Sequence, residues 1–150
     1  MKLAEALVQR SDMQKRIAQL RNRLMLNAKV QEGEKPSEDP KALLKELDAL
    51  TNELEAFITR INHTNAQTLD NGESMSALLA RRDCLRQRAD ILRDFLHEAS
   101  ATVMRGTRSE VVIRSTVNVA ELQSGVDALS KELRELDVRI QALNWTTELI

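Results

Sequence analysis

Residues 122–143, LQSGVDALSKELRELDVRIQAL, carry the pattern that decides the fold. Apolar residues recur in alternating steps of four and three, which places them in one stripe along an α-helix. The stripe consists of Leu122, Val126, Leu129, Leu133, Leu136, Ile140 and Leu143. A narrow stripe that continues over three heptads is typical of a helix that packs through a coiled-coil-like seam.

Three further segments show the same period. Apolar stripes run through residues 3–24, interrupted by Arg10, through residues 43–61, and through residues 78–103, where Arg82 takes one seam position. The pattern predicts helices over residues 2–28, 41–67, 75–105 and 119–144. Helices of similar length suit side-by-side packing. The sequence therefore predicts a single all-α domain over residues 1–150, an antiparallel four-helix bundle of long coiled-coil-like helices.

Turn and cap residues stand where the stripes stop. In VQEGEKPSEDP, Ser37 or Asp39 is placed to cap the second helix. LDNGES contains Asn71-Gly72 and is so short that helices two and three are expected to be antiparallel neighbours. Gly106 is placed to end the third helix.

The segment SEVVIRSTVNV, by contrast, favours a strand, because β-branched residues alternate in it with a period of two. A strand needs a partner for its backbone groups. We predict a minor two-stranded β ladder formed by the connecting loops, from extended segments near residues 28–34 and 110–117. The alternative partner is the same strand of another subunit.

Composition restricts the class of protein. The net charge of −1 and the 2% aromatic content offer neither a basic surface nor stacking platforms for nucleic acid. The lone cysteine, Cys84, excludes an intrachain disulfide and suits a reducing compartment. The N-terminal residues lack the apolar core of a signal peptide, and no segment is apolar enough to span a membrane. We expect a cytoplasmic protein with no nucleic-acid partner, and these features disfavour a membrane partner.

The sequence offers little that resembles a reaction centre. Its two histidines, His63 and His97, belong to no HExxH or paired metal-ligand motif, and the four glycines form no phosphate-binding loop. Cys84 lies in the middle of a predicted helix. The acidic residues between 32 and 39 fail the EF-hand spacing and are interpreted as helix caps. We expect no catalytic residue, no metal and no cofactor, which favours a protein that is not an enzyme without deciding the point.

Asparagines gather near predicted helix ends. Asn27 closes the first helix. The candidate binding or register-setting residues are Asn62, His63, Asn65, Asn144 and Trp145. In an antiparallel bundle, the ends of helices two and four meet, so INHTN would face LNWTT. We interpret Trp145 as an aromatic peg that plugs the bundle end; the alternative is a lid on a ligand pocket.

Four motifs, NAKVQEGE, RINHTN, ALLARRDCLRQR and LNWTT, resemble the septicolysin-like family of small bacterial proteins. The resemblance implies a helical bundle without an assigned activity, and the family's name suggests membrane activity. The residues favour a non-enzymatic homo-oligomeric scaffold or protein-interaction protein. The alternatives are a small-molecule-binding protein that uses the Asn/Trp end and a membrane-active cytolysin.

Overall fold

The computed structural model describes residues 1–102 and 111–150. Within these ranges the chain forms four helices and two short strands. In chain order the elements are α1 (Leu3–Leu26), α2 (Pro40–Gln67), β1 (Leu69–Asp70), β2 (Glu73–Ser74), α3 (Met75–Ser100) and α4 (Val119–Thr146). The prediction of an all-α fold with a minor β ladder is confirmed. The third helix ends earlier than predicted, at Ser100; residues 103–106, with Gly106, lie outside the described residues.

The β ladder lies in LDNGES, the connection between α2 and α3. Leu69 pairs with Ser74 and Asp70 pairs with Glu73, antiparallel. Between the strands, Asn71 and Gly72 have φ values of 50° and 81°. Two left-handed residues in an Asn-Gly sequence are the signature of a two-residue hairpin turn whose twist matches that of its strands.

The predicted location of the ladder was therefore wrong. Residues 28–34 form no strand, and neither do residues 111–117; residue 110 lies outside the described residues. Alternation of β-branched residues favours an extended backbone but supplies no partner. The hairpin has its partner two residues away, so its loop costs little entropy to close.

The backbone contacts divide the chain into two compact units. Unit 1 comprises residues 1–75 and 142–150, and unit 2 comprises residues 76–141. The single-domain organisation stays a prediction. In unit 1, α1 packs on α2, and the predicted stripes supply the core. Its buried stripe residues are Leu3, Ala6, Met13 and Leu20 of α1 and Leu43, Leu50, Phe57 and Ile61 of α2.

Caps hold the corner between α1 and α2. Asn27 ends α1, as predicted: its side-chain amide donates to Arg23 O at 2.8 Å, and its Oδ1 accepts from Glu38 N at 2.9 Å. Asp39 is the N-cap of α2 and accepts from Lys41 N at 3.0 Å. One buried asparagine thus joins the last turn of α1 to the start of α2, which fixes where the chain reverses.

In unit 2, α3 runs antiparallel to the first part of α4. Arg93 Nη2 donates to Ser130 Oγ at 2.8 Å, and Arg86 Nη2 lies 3.6 Å from Asp137 Oδ2. Numbers rise along one helix as they fall along the other, so the two contacts establish the direction. The stripe of α4 is buried from Val126 to Ile140. The seam is less covered near the start of α4, where Leu122 of α4 and Leu92 of α3 are only half-buried.

Candidate functional site

The five candidate residues of the predicted bundle end all belong to unit 1, with different surroundings. Asn62 and His63 are exposed, Asn65 is half-buried and Asn144 is buried. Trp145 is 62% exposed, so its interpretation as a buried peg is wrong. Consecutive helical residues point about 100° apart, and Asn144 takes the inward direction that Trp145 was expected to take. The binding or register-setting role of the five residues stays a prediction.

Thr64, between the predicted asparagines, holds the end of α2 instead. It is completely buried. Its Oγ1 donates to Arg60 O at 2.9 Å and accepts from Ile150 N at 3.0 Å, while Arg60 Nε donates to Ile150 O at 3.1 Å. Thr64 also stands three residues after Ile61, at the next stripe position, so the periodicity already indicated that it faces inward.

Residues 147–150, the tail that contains Ile150, also contact the start of α1. Leu3 N donates to Thr147 O at 2.9 Å, and Lys2 Nζ lies 2.6 Å from Glu148 Oε1. The hydrogen bond from Lys2, together with the amino group of Met1, holds the pKa of Glu148 below its ordinary value. The tail therefore connects the start of α1 to the end of α2. These contacts satisfy backbone hydrogen-bonding groups at this end of unit 1, so a structural role is enough to explain them.

His63 has a local partner as well. Its Nε2 lies 3.0 Å from Nε2 of Gln67, one helical turn later on the exposed side of α2. Within residues 1–102 and 111–150, no group of three His, Cys, Asp or Glu side chains is arranged to hold a metal ion. No helix in the same ranges is both long and apolar enough to cross a bilayer.

An open groove lies in unit 2. A groove of about 540 Å³ runs between α3 and α4 along the first half of α4. Its apolar lining consists of Leu92, Val117, Leu122, Val126, Ala128 and Leu129. Gly125 also lines it, and a Cβ built on that glycine meets no atom within 4 Å. An apolar floor of this shape, left open by the described residues, suits side chains from another helix.

Charged residues border the groove on both helices. Arg88 stands on the α3 side, and Glu121 and Glu132 stand on the α4 side. The groove therefore combines an apolar floor with a rim of both signs, the arrangement of many protein–protein contacts.

The sequence did contain a signal for the groove. Gly125 occupies the interior of α4, where glycine costs roughly 1 kcal/mol relative to alanine. Glycine inside a helical pattern is tolerated at that cost, so its presence marks this position as unusual. The residues of the rim gave no such signal, because isolated charges on a helix are usually solvated.

Comparison with known proteins identifies relatives but no activity. A family model described as "Family of unknown function (DUF6847)" matches residues 10–149. The chain is similar over 100% of its length, at 39% identity and with a TM-score of 0.94, to 99% of a chain described as "Crystal structure of a functionally unknown conserved protein from Corynebacterium diphtheriae". No curated protein matches significantly. The chain therefore belongs to DUF6847, a family of unknown function.

Proposed function

We propose that this protein is a non-enzymatic, oligomeric helical scaffold whose subunits associate through the groove of unit 2. The observation that carries the proposal is the groove itself, which exposes an apolar floor along α4. Water in contact with such a floor is released when a second surface covers it, which favours association.

Exposed apolar residues beside the groove support the proposal. Ile91 and Phe95 of α3 are 60% and 45% exposed to solvent. Both are large apolar side chains, whose burial lowers the free energy. Fully burying an exposed side chain of this size contributes roughly 1.5–3 kcal/mol, and covering the exposed part of these two contributes about half of that for each. This apolar surface lies on the same helix as the α3 lining of the groove, and it adds to the area that a partner can cover.

The finer architecture belongs to the same proposal. The heptad stripes support an antiparallel four-helix bundle of coiled-coil-like helices. The lone, exposed Cys84 supports a cytoplasmic location, because a reducing compartment protects an exposed thiol.

Analytical ultracentrifugation at micromolar concentration tests the proposal. The wild type is expected to sediment as a dimer or larger oligomer, and a strict monomer would contradict the scaffold function. Gly125→Gln places a long polar side chain in the groove, where there is space for it, and is expected to weaken association. The matched control is Ser124→Gln at the adjacent exposed position, which is expected to leave the mass unchanged.

A further inference from the structure

We propose, on the basis of the scaffold function above, that the groove is filled by a second copy of this chain in a twofold arrangement. In this arrangement the outer edge of α3 in each copy lies along the α4 edge of the groove in the other copy. Arg88 then faces Glu132 of the second copy, twice per dimer.

A second stripe of residues along α3 supports this arrangement. Arg88, Ile91 and Phe95 follow one another in steps of three and four, apart from the core stripe that contains Leu92. Phe95 points within about 20° of the direction of Arg88. A helix with two apolar stripes has two faces to cover, and the exposure of Ile91 and Phe95 shows that the described residues leave the second face largely uncovered.

The shape of the α4 side of the groove also supports this arrangement. The α4 side of the groove is formed at its centre by two small residues, Gly125 and Ala128. Small residues let another helix approach closely, and the open space above Gly125 leaves room for a large side chain. Ile91 and Phe95 of the second copy are side chains of that kind. On their own chain they do not line the groove, so they are free to enter the groove of the other copy. Each copy thus offers both the projections and the space that receives them.

The charges on the two edges of the groove support the arrangement as well. The α3 edge of the groove carries Arg88, and the α4 edge carries Glu121 and Glu132. Arg88 forms no ion pair with any residue in the described ranges 1–102 and 111–150. A twofold axis that runs along the groove places the basic edge of each copy against the acidic edge of the other, whereas an axis across the groove would oppose edges of like charge. A twofold contact is the commonest form of homo-oligomer.

Charge reversal tests the arrangement. Arg88→Glu and Glu132→Arg are each expected to weaken self-association at least tenfold, because each homodimer then holds two like-charge contacts. Mixing the two variants is expected to restore dimers: in the mixed dimer both contacts again join opposite charges. The matched control is Arg134→Glu, on an exposed part of α4 away from the groove, which is expected to associate like the wild type. Sedimentation equilibrium gives the dissociation constants, and circular dichroism verifies that each variant is folded.

The outcomes separate the two proposals. If the wild type stays monomeric, both the scaffold function and the twofold contact are wrong. The occupant of the groove is then a helix of a different protein. A wild type that associates, with both reversals associating equally tightly, overturns the twofold contact alone. Two weakened variants that the mixture fails to rescue also overturn it, because a fold defect within one chain is not repaired by a second chain.

Discussion

Arg23 Nη2 lies 2.6 Å from Oε1 of Glu38, so the last turn of α1 is joined to the loop that precedes α2. Arg23 Nε donates to both oxygens of the same carboxylate at 3.1 Å, and Arg23 Nη1 lies 3.5 Å from Glu46 Oε2 on α2. The hydrogen bond from Arg23 lowers the pKa of Glu38, and the carboxylate raises that of Arg23. A planar guanidinium suits this multiple contact better than an ammonium would.

The Arg23–Glu38 pair predicts a pH dependence of stability. The folded pKa of Glu38 is lowered, so the stabilisation is present above the unfolded pKa of about 4.3 and is lost as pH falls through the folded value. Glu38→Gln is expected to lower the urea midpoint at pH 7, and the difference from the wild type is expected to vanish at strongly acidic pH. Glu32→Gln, in the same exposed loop, is the control and leaves the midpoint unchanged. A difference of equal size at every pH would contradict the role of the ion pair.

Asn27 is expected to be the asparagine on which the α1–α2 corner depends. Asn27→Ala removes a hydrogen bond to Arg23 O and the acceptor of Glu38 N at a buried position, which costs about 1–2 kcal/mol. Asn22→Ala, at an exposed position inside α1, is expected to stabilise slightly because alanine is the better helix former. Chemical denaturation measures both changes. Equal effects of the two substitutions would contradict the cap.

Thr64 is expected to anchor the chain's last residues. Thr64→Val keeps the shape of the side chain but leaves Ile150 N without its acceptor, which costs about 1–2 kcal/mol. Amide hydrogen exchange at Ile150 is expected to accelerate as well. Thr59→Val, whose hydroxyl only donates to Glu55 O on the exposed side of α2, is the control and changes stability by less than about 0.5 kcal/mol. Unchanged exchange at Ile150 in Thr64→Val would rule out the anchor.

Two glycines are expected to respond in opposite directions to alanine. Gly72 has a φ of 81°, which a side chain disfavours, so Gly72→Ala is expected to destabilise by roughly 1–2 kcal/mol. Gly125 lies in a helix with free space at its Cβ position, so Gly125→Ala is expected to stabilise by about 1 kcal/mol. Thermal and urea unfolding of the two variants measure the contrast, and the same sign for both would refute this account of the glycines.

Local patterns predicted most of the secondary structure. The stripe that runs from Leu122 to Leu143 predicted α4, and the cap residues Asn27 and Asp39 marked where α1 ends and α2 begins. Signals of this kind act between residues a few positions apart, so they can be read from the chain itself. The same holds for Asn71-Gly72, whose hairpin signature is local and was present in the sequence.

Long-range placement was decided by the tertiary structure. The sequence cannot specify that Ile150 N, 86 positions away, uses the hydroxyl of Thr64 rather than that of another threonine. It also could not specify that Trp145 faces solvent, or that a groove stays open beside Gly125. The sequence by itself determined which segments form helices and closely where α1, α2 and α4 begin and end, because propensity, capping and periodicity act locally. Which surfaces became buried depended on the packing of distant segments against one another, and burial is a property of that packing.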